Sequence, residues 1–401
     1  MVLGFSKKID ISDAGIAQIK SALSELQEPN FNRTLGDLGM IGAVEAKDKA
    51  LHIQLKLPTP ALLGLDALKA QIEASVQAVE KDCPVEFTLE SHVRSAVGNA
   101  FSAQAIPGVK NIILVASGKG GVGKSTVASN LAVGLAEMGA QVGLLDADMY
   151  GPSAPTMFGV PPETRPASMP GPNPERPVMV PLSRFGIKLI SIGFLVDTAT
   201  PMIWRGPMLA SAAMQLFKEV HWEELDYLVV DLPPGTGDIQ LTIAQQVAVA
   251  GAVIVSTPQD VALADVVRAK AMFDKVNIPA LGVVENMSYF ICDSCDKKHE
   301  IFTSGGAEKA AGVLNLPYLG HIPIEGEVRA GGDEGAPVVI RNPDQHSSQA
   351  LRDISRRVAT QLAVRAQSLK GDVTIKGPKL KVTGGVDTKD ATPKKGLPII
   401  N

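Results

Sequence analysis

Three features of this 401-residue chain predict an α/β fold, a mostly parallel sheet covered by helices and preceded by a small α+β unit. From about residue 109 to 365, short apolar runs alternate with helix-length segments, the pattern of a parallel sheet covered on both faces. The first helix of that region opens on a glycine-rich loop that directly follows an apolar run. Nearer the N-terminus, Leu51-His52-Ile53-Gln54-Leu55-Lys56-Leu57 alternates apolar and polar residues, the period of a half-buried strand.

Taken in order, Asp13 to Leu26 carries Ile16, Ile19, Leu23 and Leu26 at helical spacing, and Pro29 ends it. Leu65 to Val79 is a second amphipathic helix, and Val85 to Leu89 a strand. Ser95 to Gly108 contains Gly98, Ser102, Pro107 and Gly108 and suits a linker. Strands are expected at 111–116, 141–146, 227–231, 252–257, 281–286 and 316–320. Helices are expected over Ser125–Met138, Asp238–Val249 and Ala262–Val276, with a last one from His346 to about Arg365. This gives a small domain over 1–95, a linker over 96–108, a large domain over 109–365 and a tail over 366–401. In the tail, Lys370, Lys376, Lys379, Lys381, Lys394 and Lys395 alternate with Gly, Pro and Thr, which predicts a flexible basic segment. Gly377, Pro378, Gly384, Gly385 and Pro393 argue against a membrane-binding helix there.

Hydrophobic residues make up 45% of the chain and aromatics 4%, so the core must be aliphatic. With 38 basic and 42 acidic residues the net charge is −4, a balance that argues against a dedicated binder of nucleic acid or of an anionic membrane. There is no apolar run long enough to span a bilayer, and Met1 to Lys8 lacks the apolar core of a signal peptide. Three cysteines do not make a secreted disulfide framework, so a cytoplasmic location is expected. Cys83 reads as a small core residue.

The stretch Ser117-Gly118-Lys119-Gly120-Gly121-Val122-Gly123-Lys124-Ser125-Thr126 fits G-x-x-x-x-G-K-[ST] and lies between a strand and a helix. That setting aims backbone N–H groups and a helix N-terminus at a phosphate. Glycine is needed where the loop takes positive φ and where an anion must approach closely. Lys124 is positioned for the β- and γ-phosphates of a nucleotide and the Ser125 hydroxyl for Mg²⁺. Hydrolysis needs a carboxylate at the end of a hydrophobic strand as well, and Tyr227-Leu228-Val229-Val230-Asp231 supplies one in Asp231. Asp146 and Asp148 close another strand. Asp146 suits metal-bound water, and Asp148 the attacking water. Pro233-Pro234-Gly235-Thr236-Gly237-Asp238 combines rigid and hinge-like residues and suits a switch that senses the γ-phosphate. The alternative role for Asp238 is to N-cap the next helix.

Lys119, a second lysine within the loop, makes it resemble the deviant phosphate loop of the SIMIBI ATPases (the MinD, ParA and nitrogenase iron-protein group). That resemblance implies a homodimer with ATP sandwiched between subunits, in which Lys119 reaches the partner's nucleotide and stabilises transition-state charge.

Cys292-Asp293-Ser294-Cys295 offers two thiols at C-x-x-C spacing. Two sulfurs do not complete a four-coordinate site, and three solutions are open. A two-fold axis could bring four thiolates from two copies to one [4Fe–4S] cluster. His299 could join the pair at a local zinc. The cysteines could form a redox couple, although this C-x-x-C does not open a helix after a strand.

Taken together, Asp146 through Ser153, Trp204 through Met208, Asp231 through Asp238, Thr257-Pro258-Gln259, Glu285-Asn286-Met287-Ser288 and Cys292-x-x-Cys295 resemble the Mrp/ApbC family of iron–sulfur cluster carrier ATPases. The N-terminal unit resembles the small domain found in iron–sulfur maturation factors, through Asp37-Leu38-Gly39-Met40 and Leu57-Pro58-Thr59-Pro60-Ala61. That domain often has a cysteine just after the position of Ala61, where this chain has Leu62. The resemblance implies ATP hydrolysis by a homodimer, a [4Fe–4S] cluster on Cys292 and Cys295, transfer to apo-protein clients, and contact of Asn286 with adenine. The charge balance and the tail leave neither nucleic acid nor membrane as an expected partner. The alternative is a ParA- or MinD-type positioning ATPase with a structural zinc site. A tyrosine kinase of the superfamily would need a C-terminal tyrosine cluster, and the last tyrosine is Tyr318. A nitrogenase-type reductase would carry two widely separated cysteines per subunit.

Overall fold

The computed structural model describes residues 11–47, 49–98, 104–149, 151–171, 177–195, 206–259, 262–292, 294–295 and 297–369. The N-terminal part carries α1 (Asp13–Glu25), β1 (Ile41–Lys47), β2 (Ala50–Leu57), α2 (Leu65–Val79) and β3 (Val85–Ser91). Ser12 caps α1 by accepting a hydrogen bond from the Gly15 amide. β2 is central, antiparallel to β1 and parallel to β3. The apolar residues of its period-two pattern, Leu51, Ile53, Leu55 and Leu57, pack against Ile19, Leu23, Leu68, Ile72 and Val76 of the two helices. Cys83 is buried in that core, as its sequence context suggests.

The large sheet contains β4 (Val109–Ala116), β5 (Val142–Asp146), β6 (Leu182–Arg184), β7 (Ile187–Ser191), β8 (Leu225–Asp231), β9 (Gly251–Ser256), β10 (Ala280–Glu285) and β11 (Tyr318–His321). Their spatial order is β6-β7-β5-β8-β4-β9-β10-β11, parallel throughout except for the edge strand β6. The helices are α3 (Lys124–Glu137), α4 (Gly206–Lys218), α5 (Asp238–Gln246), α6 (Ala262–Lys275), α7 (Gly306–Val313), α8 (Gly326–Glu334) and α9 (His346–Ser368). Ile113 and Val115 of β4 enter a core with α3 and α9, while Ile112 and Leu114 enter the opposite core with α4, α5, α6 and α7. A strand buried on both sides cannot alternate in polarity, so β4 is a continuous apolar run.

All six expected strands of the large region form, each within about two residues of its expected ends. The hairpin β6–β7 and helices α4, α7 and α8 are additions. Three corrections concern termini. The helix expected over Asp238–Val249 ends at Gln246, where Val247 turns to bridge Gln104. The last helix continues past Arg365 to Ser368, because Ala366 still faces the core. Asp238 is the first residue of α5, and Gly237 occupies the cap position. Residues 370–401, which hold the lysines of the expected basic tail, lie outside the described residues, as do Tyr150, Trp204 and Arg205.

The two parts are fastened by specific polar contacts. Thr59 and Tyr227 share a buried hydroxyl–hydroxyl hydrogen bond of 2.9 Å. The Leu63 amide donates to the Thr360 hydroxyl of α9, and the Ala96 amide to the Asn111 side chain of β4. Among the described residues, no helix is long and apolar enough to cross a membrane.

Candidate functional site: a phosphate loop and a cysteine hairpin on one sheet edge

In a parallel sheet every strand ends on the same edge, so residues distant in sequence meet there. Register pairs Asp231 of β8 with Asp146 of β5 and with Val115 of β4, and Glu285 of β10 with Ser256 of β9. The glycine-rich loop follows β4, between β8 on one side and β9 on the other.

The loop is braced from several directions. Gly121 and Gly123 have φ of +77° and +80°, so glycine is required at both. A Cβ on Gly118 would lie 2.4 Å from the Asp265 carbonyl oxygen, so α6 packs directly against the loop. The Ser117 hydroxyl donates to the Lys119 carbonyl, and the Gly235 amide of the following switch segment donates to the Ser117 carbonyl. The Gln240 amide group donates to the carbonyls of Pro233 and Pro234, which fixes that segment to the first turns of α5.

Lys124 and Ser125 open α3. The Lys124 ammonium lies 2.5 Å from Asp231 and 3.5 Å from Asp148. Ser125 adds a hydrogen bond that helps Asp231 stay ionised. Burial nonetheless raises the Asp231 carboxyl above its usual range, opposed by the Lys124 charge. Asp146 is fully buried and accepts from the Asp148 amide, the Ala154 amide and the Ser191 hydroxyl. Burial first, and the Asp231 charge second, push its carboxyl up to about 7. Asp146 therefore orders the turn that presents Asp148. Ser125 and Asp231, hydroxyl beside carboxylate, form the oxygen pair that suits Mg²⁺, whose charge would offset the crowding of carboxylates.

Lys119 forms an ion pair with Asp265, 3.4 Å away, and Asp265 also pairs with Arg268 one turn along α6. The Asn286 amide group donates to the Val122 carbonyl at 2.9 Å and lies against Gly123, where a Cβ would sit 2.1 Å from its nitrogen. Beside the loop is a cleft of about 930 Å³ bordered by Thr126, Met157, Asn286, Met287, Ile324 and Arg329.

Cys292 and Cys295 lie on an excursion between β10 and α7. Phe290–Ile291 and Lys298–His299 pair as a short antiparallel hairpin, and the cysteines occupy its turn. The Cys292 amide donates to the Lys297 carbonyl and the Cys295 amide to the Cys292 carbonyl. Cys292 is half-buried and Cys295 exposed, and neither forms a disulfide. A hairpin turn lacks the strand-to-helix setting of redox C-x-x-C pairs. Among the described residues, no three His, Cys, Asp or Glu side chains gather as a metal site, so His299 does not complete one with the two thiols.

Asp265 and Ser191 were not legible as functional residues. Each acts by meeting a partner far away in sequence, Lys119 and Asp146, and no local motif marks it.

A model of the NUBPL iron-transfer P-loop NTPase family matches residues 108–359, and one of iron–sulfur cluster assembly proteins matches residues 16–87. An iron–sulfur cluster carrier protein of Synechocystis is 44% identical over 352 residues, covering 87% of this chain and 98% of that protein. The Escherichia coli K12 carrier protein is 42% identical over 360 residues, covering 90% and 96%. The chain belongs to the iron-transfer P-loop NTPase family. It is a P-loop NTPase whose central sheet is mostly parallel and covered by helices. Among solved structures, a nucleotide-binding protein of Archaeoglobus fulgidus in complex with ADP is 39% identical, with TM-score 0.49, covering 57% of this chain and 87% of that one.

Proposed function

We propose that this ATPase carries an iron–sulfur cluster and passes it to apo-proteins. The observation that carries the reading is the placing of a phosphate loop with Asp231 and a two-cysteine hairpin on the same edge of one sheet. ATP's phosphates are cradled by Gly118, Lys119, Gly120, Gly121, Val122, Gly123 and Thr126, with the Lys124 ammonium on the β- and γ-phosphates. Ser125 and Asp231 would hold Mg²⁺, which supplies charge neutralisation between those phosphates. To reach a nucleotide, Lys124 gives up part of its contact with Asp231 and Asp148. Asp148 is then placed to orient the attacking water, with Asp146 fixing its backbone. Asn286 borders the cleft beside the loop, which is roomy enough for the base.

The cluster is cargo. One chain offers two thiolates at an exposed turn, so a four-thiolate [4Fe–4S] site needs a second copy related by a two-fold axis. Lys119 reaches the partner's nucleotide by exchanging its Asp265 partner within the chain for phosphate across the interface.

Anaerobic reconstitution with iron and sulfide tests the cargo. Wild type should take up iron in a thiolate-ligated cluster, and the Cys292→Ser/Cys295→Ser double variant should not. Equal uptake by both, or zinc alone in anaerobically prepared protein, overturns it. Mixing tests the shared site. Lys119→Ala and Lys124→Ala should each be inactive alone, yet regain turnover when combined, because one hybrid site then has both lysines. No recovery on mixing overturns the trans role.

A further inference from the structure

The excursion that carries the cysteines leaves the nucleotide edge of the sheet at the end of β10; a Thr303–Pro258 hydrogen bond and backbone bonds of Ser288 and Tyr289 to Ile322 and Ile324 also hold it. Glu285 closes that strand and is buried, 1% exposed. Its carboxylate accepts from the Ser288 hydroxyl at 2.5 Å, where the excursion departs. It also accepts from the amides of Gly305 at 3.2 Å and Ala307 at 2.8 Å, where the excursion returns to start α7. A single carboxylate thus holds both feet of the segment that contains Cys292 and Cys295. The next residue, Asn286, donates to the phosphate-loop carbonyl of Val122 and touches Gly123. Between Asn286 and Ser288, Met287 has φ +59°, a conformation costly for a side chain of this size, which persists only where its neighbours hold it.

We propose that Glu285 is a positioning residue that links the two sites: it ties the cysteine hairpin to the same strand end that reads the phosphate loop through Asn286. When nucleotide enters, the loop carbonyl of Val122 and the Asn286 amide group must adjust together, because no space separates Asn286 from Gly123. Glu285 is the last residue of a strand fixed in the sheet and Asn286 follows it directly, so the displacement passes to Ser288 on one side and to the N-terminus of α7 on the other. A carboxylate can serve three donors at once, whereas an amide side chain has one acceptor oxygen. The carrier reading enters only in what the hairpin holds; the mechanical link stands on the contacts just given.

The full chain without iron tests the link by amide hydrogen exchange over residues 288–305, with and without a non-hydrolysable ATP analogue. In wild type the analogue should change exchange of this segment by at least about fivefold, the lower end of ordinary coupling between sites. Glu285→Gln, and independently Ser288→Ala, should reduce that response to below about twofold while analogue affinity stays within about twofold of wild type. Ser288→Ala leaves the carboxylate bonded to both α7 amides, so it guards against a Glu285 variant that fails to fold. A purely structural clamp would raise exchange equally with and without analogue and leave the ratio intact. An unresponsive wild type, or variants that keep the wild-type ratio, overturns the link. Failure of iron uptake by wild type would instead overturn the carrier reading and leave this measurement untouched.

Discussion

The phosphate loop and the cysteine hairpin lie on one sheet edge yet are held in opposite ways. The loop is gripped along its length, by Asp265 packed on Gly118, by Gly235 on Ser117 and by Asn286 on Val122. The hairpin is gripped at its feet by Glu285, and its turn stands clear of the core, with Cys295 exposed and Ile301 and Phe302 partly in solvent. A site that hydrolyses must be preorganised, because donors that reorganise during reaction lose their electrostatic advantage. A site that hands over cargo, the role proposed for the hairpin, must instead be reachable. The contrast teaches that the same strand ends can support rigidity in one connection and accessibility in the next.

The largest test of this contrast is Lys124→Ala. It should lower ATP turnover by at least about a hundredfold, the scale of removing one preorganised charge donor, while iron uptake in the absence of nucleotide persists. Steady-state phosphate release and iron analysis on the same preparation check both halves. If both functions fall together, the two regions are not separately built.

Next in size is the reciprocal change. Cys292→Ser/Cys295→Ser should bring bound iron to background yet keep ATPase of the iron-free protein within about twofold, since both cysteines sit in the hairpin turn and not in the phosphate loop. A collapse of turnover would mean that the hairpin supports the phosphate loop.

Gln240→Ala sharpens the picture of the rigid side. It frees two proline carbonyls of the switch segment. With about 1 kcal/mol for each of the two hydrogen bonds, kcat should fall by up to about thirtyfold. An unchanged kcat would show that the segment needs no such anchor.

The smallest effect is expected far from both sites. Tyr227→Phe removes the buried bond to Thr59 and should cost about 1 kcal/mol in urea unfolding, leaving turnover and iron uptake intact. Burial raises the Tyr227 hydroxyl well above its ordinary range, so it stays protonated and able to donate at any working pH.

Much of this molecule was legible before folding. β4, β5, β8, β9 and β10 announce themselves as apolar runs because they are buried on both faces, and β2 by its alternation because one face is wet. The β6–β7 hairpin was not legible, since three-residue and five-residue strands at a sheet edge leave too short a pattern to separate from loop. Helices α4, α7 and α8 were overlooked as well: α7 and α8 are short, and Gly306, Gly312, Gly326, Gly331 and Gly332 within them argue locally against helix.

The sequence by itself determined the chemistry: a phosphate loop, a strand-end carboxylate and a pair of thiols are local patterns in which residue type and spacing carry the function. Only the tertiary structure decided the company those groups keep. It set Lys119 against Asp265, gave Asp146 to the turn before Ala154, and put the phosphate-loop contact of Asn286 beside the carboxylate that anchors the cysteine hairpin. The physical reason is that local spacing fixes which atoms a segment can present, whereas contacts between segments depend on strand order and register, which no single segment encodes.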